Sequence, residues 1–171
     1  MENNLTYIRY VVMEDAPLIL DWENNEEFWA VSENDSAYQL FDVQHLIMTL
    51  QKIETARQAR WMICLKENDE AIGCVDLTEI NFEEKSATVG ILISDRANRR
   101  KGFATTTLRN IEDVAMELKI NHLQCTIHEE NSQSIVLFEK SNYDRVGESF
   151  DISDSKDKGK KIIELEKWLK S

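Results

Sequence analysis

The stretch from Ile91 to Ala104 constrains this chain more than any other. Three branched aliphatic residues, Ile91, Leu92 and Ile93, run through the basic turn Ser94-Asp95-Arg96-Ala97-Asn98-Arg99-Arg100-Lys101 into Gly102-Phe103-Ala104, where the pattern turns helical. Helical spacing continues through Phe103, Leu108, Ile111, Ala115 and Leu118, and His122 to His128 then alternates with Leu123, Cys125 and Ile127 on one face. A strand–helix–strand unit of this kind belongs to a mixed α/β architecture. The strand-to-helix join presents backbone N–H groups that no helical carbonyl can satisfy, which suits it to holding a diphosphate. A side chain at Gly102 or a large one at Ala104 would keep phosphates away. The same residues also read as a solvated surface turn, with Arg99, Arg100 and Lys101 simply facing water.

The flanking sequence supplies the remaining elements. Leu5 to Val12 alternates like a strand, and Asp15 before Ala16-Pro17-Leu18 predicts a capped helix to about Glu23. Asn24 to Leu40 has no clean period and reads as a loop. A helix starting at Asp42 is predicted from Val43, Leu46, Ile47, Leu50 and Ile53, which share one face. Trp61 to Lys66, Ala71 to Ile80 and Lys85 to Ser94 form an antiparallel meander broken by polar turns. A capped helix follows from Asn131 to Lys140, then strands over Tyr143 to Ile152 and Lys161 to Trp168 around a polar turn ending at Gly159. With no repeat and no composition break, residues 1–171 are predicted to form a single domain.

Composition narrows the function classes. Twenty basic against 32 acidic side chains leave a net charge of −12, which disfavours nucleic acid and anionic membrane as partners and favours a cationic one. Cys64, Cys74 and Cys125 lie singly in apolar-alternating segments without metal-ligand spacing, so no metal is expected. They read as core thiols of a cytoplasmic protein. The opening MENNLTYIRY carries neither a basic start nor an apolar run, and no segment is apolar enough to cross a bilayer.

Two motifs carry a family resemblance. Arg99-x-x-Gly102-x-Ala104 matches the R/Q-x-x-G-x-G/A signature of the GNAT acetyltransferases, and Glu130-Asn131-Ser132-Gln133-Ser134-Ile135-Val136-Leu137-Phe138-Glu139-Lys140-Ser141-Asn142-Tyr143 resembles that family's E-N-x-x-S-x-x-L-Y/F-E-K-x-G-F segment. The likeness extends from Leu5 to about Trp168. Through Gly73-Cys74-Val75-Asp76-Leu77-Thr78-Glu79-Ile80-Asn81 it is most similar to the branch of ribosomal-protein N-terminal and spermidine N-acetyltransferases.

The resemblance implies a GNAT fold: a mixed, mostly antiparallel sheet of about six to seven strands flanked by helices, with a cofactor cleft between two splayed middle strands. It implies acetyl-CoA as cofactor and acetyl transfer to a primary amine, either a protein N-terminus or a small cationic amine such as a polyamine. Main-chain groups of Ile91, Leu92 and Ile93 would pair with the pantetheine arm, with an N–H near Leu92 stabilising the oxyanion. Arg99, Arg100, Lys101, Gly102, Phe103, Ala104 and Thr105 would hold the pyrophosphate, Asn131 and Ser134 the pantetheine, and Lys140 the adenosine end. Asn131 is equally suited to be a plain helix N-cap. Family members form dimers or larger assemblies, so a homo-oligomer is among the expected partners.

Two departures bear on catalysis. Phe138 stands where many members carry the tyrosine that protonates the departing thiolate, and Thr88 stands where a glutamate often precedes the cofactor strand's glycine. Asp76 and Glu79 are candidate base or amine-binding groups, and Tyr143 is a candidate acid; Asp76 could equally be a solvent-facing strand residue and Tyr143 a core residue. Acidic and aromatic residues over 22–29 and 33–35, among them Trp22, Glu27 and Trp29, suit an acceptor site for a cationic amine. The same departures motivate an alternative, a CoA-binding regulatory or interaction domain without catalysis.

Overall fold

A computed structural model describes residues 4–25, 37–154 and 156–170. Its seven strands form one sheet in the order β1-β2-β3-β4-β5-β7-β6. Strands β1 (Thr6–Tyr10), β2 (Ala59–Leu65), β3 (Ala71–Asn81) and β4 (Ser86–Ile93) are successive antiparallel neighbours, so the meander read from the sequence forms as expected. Strand β5 (His122–His128) runs parallel to β4, and β6 (Asp144–Phe150) and β7 (Lys161–Trp168) complete the sheet with β7 inside. This mixed, mostly antiparallel arrangement is the architecture the resemblance implied.

Helices close both faces. Helix α1 (Ala16–Glu23) and α2 (Leu40–Leu50) pack on the side of β2 that carries Met62 and Cys64, through Ile19, Trp22, Val43 and Ile47. A single helical turn, α3 (Ile53–Ala56), leads back into β2. Helices α4 (Phe103–Glu117) and α5 (Ser132–Lys140) cover the other face, where Leu108, Ile111, Ile135 and Phe138 meet Val75, Val89 and Leu123. Alternation along β3 explains the division: Val75 and Leu77 face the larger core, while Cys74 and Asp76 face the opposite way.

Two helix starts differ from the sequence expectation. Asp15 does not cap α1; its carboxylate turns back to accept from the Val12 N–H at 2.9 Å and from the Arg9 guanidinium at 2.8 Å twice over. A partner on β1 outcompetes the helix end because a bidentate charged pair is stronger than a neutral cap bond. Helix α2 begins at Leu40, two residues early, because Asp42 sits in its first turn and accepts from the Gln39 N–H at 2.8 Å. Among the described residues no helix is long and apolar enough to cross a membrane.

Candidate active site

The site begins where the sheet splits. Strands β4 and β5 pair only over Ser86–Thr88 and His122–Gln124, and beyond Thr88 they part. From Val89 to Ile93, β4 keeps β3 as its sole strand neighbour among the described residues. Its main-chain groups on the β5 side are left without a ladder partner, an open edge that an extended ligand can pair with. Ile91 and Ile93 lean on the larger core, and Leu92, half-buried, sits opposite Cys74 in the pairing.

Past this edge the chain turns by local rules. Asp95 accepts from the Ala97 N–H at 2.9 Å and caps a 3-10 turn over Arg96–Asn98. Arg100 (φ 60°) and Gly102 (φ 84°) both take left-handed backbone, and Gly102 is the residue from which α4 starts. An L side chain at 102 would be strained by that φ alone, so glycine is required there by conformation. The first helical bond is Thr106 N–H to Gly102 C=O at 3.0 Å. The N–H groups of Phe103, Ala104 and Thr105 therefore have no acceptor within the helix and point to its N-terminal end.

The opposite wall is the start of α5. Asn131 caps it, its Oδ1 accepting from the Ser134 N–H at 3.3 Å, so the plain capping role is real. Arg96, Arg99, Arg100 and Gln133 together line a cavity of about 340 Å³, which brings the basic turn and the first turn of α5 to one place. Lys101 is exposed on the same turn. Lys140 stands at the far end of α5, about 13 Å along the helix axis from Asn131; the structure separates it from this cavity's lining.

On the face covered by α1 and α2, the candidate carboxylates lie in very different settings. Asp76 is gripped by Arg60, whose Nε and Nη2 each donate to one of its oxygens at 2.8 Å, while Nη1 reaches Glu23 at 3.3 Å. Burial works against the Arg60 charge, and its acidic neighbours Cys74, Asp76 and Glu23 more than offset it, holding the guanidinium protonated. Asp76 is thus neither the bare solvent-facing residue nor the unengaged base that alternation alone allowed. Glu79 sits on a bulge of β3 with φ 50°, exposed, and accepts from Thr88 Oγ1 at 2.8 Å. A carboxylate therefore does stand beside position 88, supplied across the strand pair.

Other candidates are placed elsewhere. Trp22, expected at the acceptor site, is buried among Ile19, Val43 and Ile47, because the amphipathic side of α1 points its ring at the sheet. Glu27 and Trp29, with the rest of 26–36, lie outside the described residues. Tyr143 is 2% exposed and packs edge-on against Phe138, with ring centroids 4.9 Å apart and planes at 87°. Its hydroxyl is buried beside Glu112 with no hydrogen bond of ordinary geometry among the described residues, and burial, with the Glu112 charge, pushes the phenol well above its ordinary range. A proton so enclosed is poorly placed to be handed to a leaving group. Burial likewise pushes the Cys74 and Cys125 thiols up to about 12, so neither is a ready nucleophile. No cluster of metal-ligating side chains occurs among the described residues.

Sequence reasoning missed Arg60, and it took Glu23 only as one of the acidic residues over 22–29. Their signal is faint, since a lone Arg in a strand and a Glu at a helix end declare nothing until the sheet register sets Arg60 beside Asp76.

Comparison with known proteins places this geometry. A family model described as an acetyltransferase (GNAT) domain matches residues 6–143. An uncharacterized N-acetyltransferase, p20, of Bacillus licheniformis is 24% identical over 142 residues, covering 82% of this chain and 79% of that protein. Among solved structures, spermidine N-acetyltransferase from Vibrio cholerae in complex with CoA and spermine matches with a TM-score of 0.81 at 20% identity, over 98% of this chain and 97% of that one. The ribosomal L7/L12 alpha-N-protein acetyltransferase RimL in complex with coenzyme A matches with a TM-score of 0.83 at 10% identity, over 96% and 94% of the two chains. At these identities the two structural matches establish the fold.

Proposed function

The chain belongs to the GNAT acetyltransferase family, and from that premise we propose that it transfers an acetyl group from acetyl-CoA to a primary amine. The observation that carries the reading is the conjunction of an unpaired β4 edge over 89–93 with three helix-start N–H groups beside a basic cavity. An extended arm with an anionic end fits that pair of features, and each alone would be ordinary. Main-chain groups of Ile91, Leu92 and Ile93 hold the pantetheine arm. The amides of Phe103, Ala104 and Thr105, with Arg99, Arg100, Lys101 and the glycine at 102, hold the diphosphate, and Asn131 and Ser134 face it from α5.

Bound acetyl-CoA supplies the activated thioester. The chain's own work is to bring a neutral amine to it, to point an N–H near Leu92 at the oxygen that gains charge, and to take up the amine's proton. Asp76 pairs in register with Gly90, about 7 Å along the strand from Leu92, and together with Arg60 and Glu23 leaves one net negative charge near the approaching amine. Glu79, held by Thr88, is the carboxylate left to accept a proton, and water must carry it, because Thr88 is about 13 Å from Leu92 along β4. With Phe138 in place of a tyrosine and the Tyr143 hydroxyl enclosed, the departing thiolate leaves without a phenolic acid, which its modest basicity permits.

The acceptor is a small cationic amine such as a polyamine, favoured by the net charge of −12; a protein N-terminus is the other member of the class. One catalytic domain in a reducing, cytoplasmic setting accords with the single sheet and the three unbridged cysteines. Free-thiol release from acetyl-CoA is measured across a panel of spermidine, other amines and basic peptides. Turnover with spermidine but not peptides supports the reading, and the reverse moves the acceptor to a protein N-terminus. Tight CoA binding with no thiol release for any amine would leave a binding domain without catalysis.

A further inference from the structure

Gly73 lies on β3 opposite Ile93, at the point where β4 ends. A Cβ on residue 73 would stand 1.9 Å from the Leu92 carbonyl oxygen, 3.0 Å from the Leu92 carbonyl carbon and 3.1 Å from the Ile93 Cα. These are main-chain atoms, which cannot swing aside as a flexible side chain would. The Leu92–Ile93 peptide occupies the space that any other residue type at 73 would fill. Just beyond, the Ser94 N–H and Oγ–H both donate to the Ile72 carbonyl at 2.8 Å, tying the end of β4 down at the same place. The glycine of β4 provides a contrast: a Cβ on Gly90 would meet only the Asp76 Cβ, at 4.0 Å.

We infer that Gly73 is a positioning residue for acetyl transfer: by lacking a side chain it lets the end of β4 close down on β3, which fixes the Leu92–Ile93 peptide that faces the thioester. The inference rests on the acetyl-CoA reading above and adds a residue to it. On the β5 side no strand braces this peptide, since β4 and β5 have already parted, so the contact with residue 73 and the Ser94 tie set its place. A misplacement of about 1 Å in a reacting geometry costs on the order of 10²-fold in rate.

The test compares wild type, Gly73→Ala and Ser94→Ala. Each is assayed for acetyl-CoA turnover with a competent amine, with kcat and KM separated. Binding of adenosine 3′,5′-bisphosphate, which has no pantetheine arm, is measured by calorimetry. Gly73→Ala should bind the bisphosphate within about twofold of wild type and lose about 10²-fold in kcat. Ser94→Ala should lose several-fold in kcat alone. Wild-type kcat in Gly73→Ala overturns the inference, as does a parallel loss of bisphosphate binding, which marks a general structural defect. If Gly73→Ala does not fold, Ser94→Ala decides, and an unchanged kcat there overturns it. A wild-type protein that binds neither acetyl-CoA nor the bisphosphate removes the acetyl-CoA reading itself, and this inference with it.

Discussion

Arg60 and Asp76 face each other across the β2–β3 pair with two hydrogen bonds of 2.8 Å, and the same guanidinium reaches Glu23 at the end of α1. One side chain thus joins the sheet to α1. It also sets the charge of the face that α1 and α2 cover, because one of two carboxylates is already neutralised. Breaking such a pair from one side is costly, since the guanidinium loses its partner while still enclosed.

Asp76→Asn should therefore destabilise by about 3 kcal/mol, or roughly 6–12 °C in melting temperature for a chain of this size. The apolar double replacement Arg60→Met with Asp76→Leu should recover much of that loss. Thermal melts followed by circular dichroism check both. A single variant as stable as wild type would show that the fork contributes little. Activity of Asp76→Asn must be compared well below its own melting temperature.

Glu79 is exposed and bonded only to Thr88 among the contacts that fix it, so its removal should not touch the fold. Glu79→Gln is expected to keep the melting temperature to within about 0.5 kcal/mol of stability and to lose about tenfold or more in kcat. Steady-state kinetics on the best amine decide this. An unperturbed kcat returns the base role to another group or to bulk water.

Tyr143→Phe removes a hydroxyl that is buried with no hydrogen bond of ordinary geometry among the described residues. Stability should hold or rise by about 1 kcal/mol, with kcat within about twofold of wild type. A fall of 10²-fold or more with stability intact would restore Tyr143 as the acid for the leaving thiolate.

Asp151 carries the clearest pH signature. Hydrogen bonds from Ser153, then from His128 at 2.9 Å and from the Ser153 N–H at 2.8 Å, bring its carboxyl down from 3.8 to about 2. A depressed carboxylate contributes stability in full above the unfolded value and loses it as the group is protonated. The contribution is thus present above pH 3.8 and lost as pH falls to about 2. Urea titrations should find wild type losing stability through that window and Asp151→Asn, weaker at neutral pH, losing less of it. Parallel curves for the two proteins would mean that Asp151 is not linked to folding.

Much of the site is legible in the order of residues alone. The turn from Ile93 to Gly102 is written in consecutive residues, and Asn131 stands where a cap must stand, so local rules suffice for both. Trp22 defeats such rules because an aromatic beside glutamates looks alike whether its ring faces a ligand or a core. The direction of α1's apolar side settles it, and that depends on what α1 packs against. Asp15 resembles a cap for a similar reason, since its stronger partner Arg9 comes from the preceding strand.

By itself the sequence determined most of the strands and helices, where the basic turn between β4 and α4 falls, and that Phe138 and Thr88 depart from the pattern of the family it resembles. These follow from periodicity, capping and motif, each a property of neighbours along the chain. Only the tertiary structure decided that Arg60 holds Asp76, that Glu79 stands beside Thr88, that the Tyr143 hydroxyl is enclosed, and that Gly73 makes room for the Leu92 carbonyl. The first, second and fourth depend on the register of β3 against β2 and β4, which a slip of one residue would change, and the third on how α5 packs its Phe138 against the Tyr143 ring.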